Sequence, residues 1–257
     1  MKLDEQTRND LFDYLLRLGD DRLILGHRLS EWCGHGPILE EDIAMTNIAL
    51  DLIGQSINFL KLAGKVEGNG RSEDDLAYHR DALDFKNLML VEQPNGDFGY
   101  TMTRQFVFDV YSLHLLERLQ SSRMEELAAI AAKSLKEVRY HLRHSSQWML
   151  RLGDGTEESH RRVQTALNDL WMYTNEMFET DEVEQRLAKK GIAIDSSTLK
   201  PDWEKTVSNL LNQATLNVPE EQGYWSTGSR RGIHTEHLGY ILADMQFLPR
   251  AYPDAKW

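Results

Sequence analysis

The chain has 257 residues, of which 41% are hydrophobic and 27% charged, with only six prolines and 17 glycines. This length is enough for one large domain with a core, or at most two small ones, and the composition is that of a soluble globular protein. The low proline and glycine content favours long helices over a sandwich or barrel. The net charge of −12 excludes a general nucleic-acid binder, which needs a basic footprint, and a polybasic membrane-binding surface.

Five helices are predicted in the first part of the chain from apolar residues that recur at helical spacing. Gly34–Pro37 ends the first helix, and the second stops near Gly64. The third is more polar than the others, whereas the fourth is apolar almost all round and is therefore expected to be buried. The predicted ranges are 5–33, 39–62, 72–91, 99–120 and 123–152.

The rest of the chain is predicted to continue as helices. After the break at Gly153–Thr156, Thr156 can cap a helix that runs to about Phe178. Shorter helices follow, and 216–233 is a long loop. No linker interrupts this series, so the sequence predicts a single helical domain over 1–257 built as a bundle. The shorter helices are predicted over 181–189, 199–215 and 235–248.

The predicted second helix carries a polar stripe among apolar neighbours. Asn47, Asp51, Gln55 and Asn58 follow one another at i, i+4, i+8 and i+11, which places them on one face. A buried carboxylate is costly unless it is paired, hydrogen-bonded or bound to metal. Asp51 is therefore a candidate site residue.

The predicted fourth and fifth helices show the same anomaly. Asp109 stands between the apolar residues Phe108 and Val110. On the fifth helix Glu137 and His141 share a flank, which also includes His144 and Trp148. Several helices that point carboxylates inward are typical of di-iron and di-manganese bundles.

The full metal-binding pattern is missing, however. Such bundles use Glu-x-x-His twice, and here Asp51 is followed three residues later by Gly54, while Glu137 is followed by Tyr140. The first helix offers Asp20 or Asp21. The sequence therefore predicts a degenerate di-metal centre that holds no metal in this chain.

Other chemistry-bearing residues are expected to have structural roles. Glu157–His160 is a true Glu-x-x-His, but it opens a helix, where acids are favoured by the helix dipole. His141 and His144 as replacement ligands, a metal at His234–His237 and a reactive Cys33 are the less favoured alternatives. Solvated charge is the expectation for the basic run Arg139–His144 and for Arg230-Arg231 and Lys189-Lys190. For Arg139–His144, pairing with internal acids or with an anionic partner is the alternative.

Several longer blocks resemble the C subunit of the phenylacetyl-CoA ring epoxidase family, and the similarity covers nearly the whole chain. The blocks are Leu16–Asp20, Arg28–His35, Asn47–Gln55, Leu90–Gly96, Lys136–Arg143, Ala214–Pro219 and Gly232–Gly239.

The resemblance implies an all-α, ferritin-like four-helix bundle with additional helices. It implies a cytoplasmic, non-catalytic structural subunit of a multicomponent monooxygenase, in which a related A subunit holds the di-iron site and a reductase supplies electrons. No catalytic residue and no cofactor are then expected in this chain. Asp20 or Asp21, Asp51, Asp109, Glu137 and His141 would form a buried polar network. The chain alone could form a homodimer.

A contact with coenzyme A across the subunit interface would involve Asp84, Phe85, Lys86 and Asn87, because Lys86 offers a cation and Asn87 an amide beside a turn. Two other functions stay open. One is a di-metal oxygenase active by itself, with ligands from Asp20 or Asp21, Asp51, Asp109, Glu137 and His141. The other is a helical module that binds an acyl-CoA between its helices.

Overall fold

The computed structural model describes residues 3–220, 223–253 and 255, and within them every regular element is a helix. This confirms the predicted all-α class, which fits a ferritin-like fold. Short 3-10 turns connect some of the helices. The α-helices of the described residues are α1 Glu5–Ser30, α2 Leu39–Glu67, α3 Glu73–Tyr78, α4 Met89–Glu92, α5 Phe98–Leu119, α6 Glu125–Gly153, α7 Glu157–Leu170, α8 Glu182–Lys189, α9 Lys200–Gln213 and α10 Glu236–Ala251.

The chain divides into two compact units. The terminal unit combines Met1–Pro94 with Gly228–Trp257, and the central unit is Asn95–Thr227. The single domain expected from the sequence stays a prediction.

The terminal unit is built on the antiparallel pair α1 and α2. Gly19 of α1 lies against Leu60 of α2, and Gly26 lies against Ile53. Residue numbers therefore increase along α1 while they decrease along α2, as in an antiparallel pair. A Cβ on Gly19 would stand 2.6 Å from Leu60 Cδ2, which is closer than real Cβ atoms come. The two glycines therefore let the helices approach closely.

The central unit is built on the antiparallel pair α5 and α6. Asp109 is hydrogen-bonded to Ser145, and Thr103 contacts Met149, again with opposite running numbers. The predicted all-round burial of this segment is confirmed, since α5 is buried along most of its length. From α9, the Trp203 indole donates a hydrogen bond to the Val107 carbonyl at 3.0 Å.

Several predicted helix ends are confirmed, and others are shifted. Thr156 caps α7 by accepting from the Ser159 N–H. That helix ends at Leu170, earlier than predicted, and 3-10 turns continue the chain to Phe178. The stop expected near Gly64 is wrong, because α2 runs on to Glu67; a Cβ on Gly64 would collide with the Arg71 carbonyl oxygen, so this glycine serves packing.

The long helix predicted over 72–91 is wrong. α3 ends at Tyr78, a 3-10 turn covers Ala82–Asp84, and the next α-helical residues are those of α4. Between them the backbone is extended, as at Phe85 and Leu88. The predicted loop 216–233 includes Glu221 and Gln222, which lie outside the described residues, and it contains a 3-10 turn at Ser229–Arg231.

Helix α2 is long and apolar enough to meet the length and hydropathy test for a membrane span, with a mean hydropathy of 1.2 over 18 residues. Of that window, 44% is buried inside the protein. A core helix of a soluble protein passes the same test, so one such helix is weak evidence for a membrane protein.

Candidate functional site

Asp20 is fully buried on α1 and is held by a guanidinium. Arg80 donates to both of its carboxylate oxygens, at 3.0 Å to Oδ2 and more closely to Oδ1. The backbone N–H of Lys86 donates a third hydrogen bond to Oδ2 at 2.9 Å. Arg80 is itself fixed by the Asp84 carbonyl at 3.0 Å and by the Phe85 ring, whose centroid is 4.2 Å from the guanidinium carbon.

Asp21, the next residue, has the same kind of surroundings from different donors. Arg230 donates to Oδ1 and Oδ2, both at 2.9 Å, and the backbone N–H of Leu88 donates to Oδ1 at 2.8 Å. Arg230 also donates to the Lys86 carbonyl, and Lys86 Nζ donates to the Arg230 carbonyl at 3.1 Å. Each acid thus has a bidentate arginine and a backbone donor, the strong arrangement for a buried carboxylate.

These contacts explain why 72–91 is not one helix. The backbone N–H groups of Lys86 and Leu88 point at Asp20 and Asp21, and they are two residues apart, as on one side of an extended chain. In a helix those N–H groups would bind carbonyls four residues earlier. The long-range acids therefore outcompete the local helical pattern.

Arg230 was expected to be solvated with Arg231, and for Arg230 this is wrong. Its side chain is 17% exposed and pairs with a side chain that is 1% exposed. Arg231, in contrast, is exposed. The sequence gives no local sign of the difference, because the partner acid lies 209 residues away.

Glu92 is a buried site residue that the sequence analysis missed. Its Oε1 accepts from the Thr235 N–H at 2.6 Å and the Thr235 hydroxyl at 2.8 Å, and its Oε2 accepts from Asn87 Nδ2 at 2.9 Å. His234 Nδ1 lies 2.9 Å from Oε2, while its Nε2 lies 3.0 Å from the Phe85 carbonyl. The available signal was an acid that directly follows the apolar run Met89–Val91.

The imidazole of His234 has an acceptor on each side. Both ring nitrogens donate only when the ring carries two protons, so the geometry favours an imidazolium beside the Glu92 carboxylate. The backbone carbonyl of Glu92 accepts from Arg28 Nε and Nη2 at 3.1 and 3.0 Å. The residues just before α10 are thus hydrogen-bonded to α4. In the alternative of a metal site at His234–His237, both ring nitrogens of His234 already contact protein groups.

The four residues proposed to contact coenzyme A lie in this network. Phe85 and Asn87 are buried, and Asn87 binds Glu92 and the Leu88 carbonyl. Lys86 Nζ also lies 3.4 Å from Asp13 Oδ2. Asp84 is exposed, and its carboxylate accepts from the Asp81 N–H at 3.4 Å. Their contact with coenzyme A stays a prediction.

On α2, the predicted polar stripe is only partly inward. Gln55 is buried and accepts from Arg22 Nε at 3.0 Å. Asp51 and Gly54 are half-buried, and Asn47 is exposed. A Cβ added to Gly54, the residue in place of the expected histidine, would meet nothing within 4 Å.

In the central unit, Asp109 is buried on α5, and its two side-chain hydrogen bonds come from uncharged groups. Gln105 Nε2 donates to Oδ1 at 2.7 Å, and the Ser145 hydroxyl donates to Oδ2 at 2.8 Å. Burial raises the pKa of Asp109 from 3.8 to about 7, and the charge of His141 and the two hydrogen bonds oppose that rise. This carboxyl is thus poised to hold a proton near neutral pH.

The candidates on α6 have different surroundings. His141 is fully buried, while Glu137 is half-buried. Tyr140, in place of the second expected histidine, is 39% exposed and stacks on His144 with the ring planes 27° apart. His160, of the Glu-x-x-His at the start of α7, lies 2.7 Å from the Gly153 carbonyl through Nδ1.

A di-metal centre does not fit these donors. Among the residues that the structure describes, no three or more His, Cys, Asp or Glu side chains are grouped to hold a metal ion. Asp20 and Asp21 would each have to release a bidentate arginine before they could bind one. The arrangement stabilises buried charge within the chain.

The chain is similar to known proteins over its whole length. The family model described as "Phenylacetic acid catabolic protein" matches residues 1–257. The C subunit of 1,2-phenylacetyl-CoA epoxidase from Escherichia coli (strain K12) is 52% identical over 249 residues, which are 97% of this chain and 100% of that relative. This chain therefore belongs to the phenylacetic acid catabolic protein family, as a homologue of an epoxidase C subunit.

Proposed function

We propose that this chain is a non-catalytic structural subunit of a phenylacetyl-CoA ring epoxidase in aerobic phenylacetate catabolism. The similarity to the C subunit of such an epoxidase supports the assignment to this enzyme. The structural role rests on one observation, which is that Asp20 and Asp21 are each held by an arginine of the same chain.

Metal binding at these acids would carry a large cost. A metal ion at Asp20 would displace Arg80, whose side chain is 5% exposed, and would leave a cation buried without its partner. Breaking a buried ion pair in this way costs about 3–5 kcal/mol. A functional metal site instead needs ligands whose outer hydrogen bonds orient them toward the ion.

In place of catalysis, the buried network would hold the helices in register. Asp20 and Asp21 tie α1 to the segment between α3 and α4, and Arg230 ties the chain after Gly228 to the same segment. Satisfied buried networks of this kind make a fold rigid and specific. A rigid surface is what a supporting subunit must present to its partner.

The proposed partner is the catalytic A subunit, which would carry the di-iron cofactor, and a reductase would supply electrons to the complex. This chain would hold no cofactor and would work in the cytoplasm. The interface with the A subunit is expected to be of obligate size, above roughly 2,000 Å² in total.

The test is elemental analysis of the purified chain, combined with epoxidation assays of the chain alone and of the assembled complex. We expect well under one equivalent of iron or manganese, no epoxidation by the chain alone, and co-purification with the A subunit. As a matched comparison, Asp109→Asn in this chain should leave the iron content of the complex unchanged. Stoichiometric metal together with activity in the isolated chain would overturn the proposal.

A further inference from the structure

The central unit contains a cavity of about 250 Å³ that has no part in the proposed function. Every residue that lines it belongs to Asn95–Thr227. The lining is mostly apolar, and three of the six tryptophans of the chain contribute to it, which are Trp171, Trp203 and Trp225. Sites for drug-sized ligands enclose roughly 300–1,000 Å³. This cavity therefore has room for one aromatic ring with a short substituent, but not for a molecule as large as coenzyme A.

The early end of α7 and one face of α9 form the cavity. After α7 the chain continues in 3-10 turns, which bring Trp171 and Phe178 to the lining. On α9, Lys200, Trp203 and Val207 follow one another at i, i+3 and i+7, so they share one face of the helix. The local sequence thus places aromatic and aliphatic side chains and one cation around the same space.

Three of the rings make a continuous aromatic wall. The ring centroid of Trp203 lies 5.6 Å from that of Trp171 and 5.3 Å from that of Phe178. A hydrogen bond from the Trp203 indole to the Val107 carbonyl holds the middle ring in place. Because these rings contact one another, they leave no space between them for an organic cation, as an aromatic cage would. The wall instead suits a planar aromatic group, which can pack against ring faces and edges.

The loop after α9, which supplies Trp225, is held by backbone N–H groups on either side of the residues that line the cavity. The Asn217 N–H donates to Gln164 Oε1 at 2.8 Å. The Ser226 N–H, next to Trp225, donates to the Met172 carbonyl at 3.0 Å. A lining that is fixed in this way is preformed, as in most small-molecule sites.

Lys200 is the cation of the lining. Its Nζ donates to Asn175 Oδ1 at 3.2 Å and lies 3.9 Å from Glu204 Oε1. An ammonium has three N–H groups, so these contacts, which are its polar contacts among the described residues, leave one N–H for a ligand. The Glu204 side chain is 56% exposed and that of Lys200 40%, so water screens the acid more than the cation. The cavity therefore combines an aromatic wall with an available positive charge.

We propose that this cavity is a binding site for a small aromatic carboxylic acid, whose ring packs against Trp171 and whose carboxylate accepts a hydrogen bond from Lys200. A basic ligand is disfavoured because Lys200 would repel it, and a larger ligand is excluded by the volume. The inference goes beyond the proposed function and does not depend on it, since a subunit without catalytic residues can still bind a ligand.

The first test is a titration of the full chain with 4-fluorophenylacetate, followed by fluorine NMR and by tryptophan emission. We expect saturable binding with a dissociation constant below about 1 mM, which is within reach of a ligand of about eleven heavy atoms. The matched probe 4-fluorophenylacetamide has the same shape without the charge. It should bind about 3- to 10-fold more weakly, because a partly exposed ion pair contributes modestly.

The second test removes the charge. Lys200→Met keeps the side-chain stem and loses the ammonium, so it should weaken binding of the acid about 3- to 10-fold and leave binding of the amide unchanged. Lys205→Met is the matched control, at an exposed lysine of the same helix that does not line the cavity, and it should bind both probes like the wild type.

The third test fills the space. Ser208 lines the cavity, and its hydroxyl donates to the Glu204 carbonyl of its own helix, so Ser208→Phe breaks no hydrogen bond to another element. This variant should lose binding of both probes. Asn209→Phe adds the same ring at the next, exposed position and should retain binding. Circular dichroism shows whether both variants are folded.

The inference is overturned if the wild type shows no saturable binding of 4-fluorophenylacetate up to about 10 mM. It is also overturned if Ser208→Phe binds as tightly as Asn209→Phe, since the site would then lie elsewhere. Equal affinities of the wild type for the acid and the amide would refute the role of Lys200. If the wild type binds neither probe and Ser208→Phe releases another epoxidase subunit, the cavity takes a side chain of that subunit and the inference fails.

Discussion

Asp20 and Asp21 in the terminal unit and Asp109 in the central unit are all buried, yet different kinds of groups surround them. The first two face bidentate arginines, which balance their charge. Asp109 is held by a serine hydroxyl and a glutamine amide, and burial raises its pKa to about 7. One region therefore stabilises ionised carboxylates with cations, and the other stabilises a carboxyl that is close to being neutral.

Among the substitutions that test this difference, Arg80→Met should have the largest effect on stability. The variant leaves the Asp20 carboxylate buried without its cation, so we expect a loss of about 3–5 kcal/mol in the free energy of unfolding, measured with urea. Adding Asp20→Asn should recover much of that loss, because the uncompensated charge disappears. Lys86→Met is the control, since Lys86 is a more exposed cation of the same network and should cost less than about 1 kcal/mol. Equal losses for Arg80→Met with and without Asp20→Asn would refute a charge-balancing role.

Asp109 should make the free energy of unfolding depend on pH. Because its pKa in the folded protein is about 7, the folded chain keeps a proton between about pH 4 and 7 that the unfolded chain loses. The contribution of Asp109 to the free energy of unfolding is therefore largest below about pH 4, falls as the pH rises to about 7, and stays constant above that pH.

Asp109→Asn removes that dependence. The stability of the wild type relative to the variant should fall by up to about 4 kcal/mol between pH 4 and 8, in urea titrations at each pH. Asp169→Asn, at an exposed position of the same unit, should show no comparable trend. Parallel pH profiles for the wild type and Asp109→Asn would show that burial does not perturb Asp109.

Glu92 sharpens the comparison with an intermediate case, in which a histidine and neutral donors surround a carboxylate. Glu92→Gln brings an amide N–H against the donors of Thr235 or Asn87, so we expect a loss of about 1–3 kcal/mol in thermal or urea unfolding. Glu236→Gln makes the same change at an exposed position nearby and should stay within about 0.5 kcal/mol. If both variants unfold like the wild type, the Glu92 contacts contribute nothing net.

Local patterns predicted much of this fold. The burial of α5 follows from its apolar sequence, and Asp109 was found because two apolar neighbours made an acid there anomalous. The Thr156 cap is a local signal of the same kind. Such features depend on residues within one or two turns, which a sequence displays directly.

The cations of the site could not be found in this way. Arg80 lies 60 residues from Asp20, and Arg230 lies 209 residues from Asp21. The same long-range contacts hold Lys86 and Leu88 in extended backbone within a segment of helical composition. Tertiary hydrogen bonds determine the backbone conformation of this segment, and the spacing of apolar residues in the sequence does not predict them.

The distance between Asp21 and Arg230 also bears on how the protein is made. Because a ribosome delivers the chain from its N-terminus, α1 and α2 emerge long before the guanidinium that balances Asp21. The terminal unit therefore completes its charge balance only when the segment that begins at Gly228 arrives. A chain released before Gly228 would carry a buried acid with no counter-ion, which marks incomplete products for quality control by chaperones and proteases.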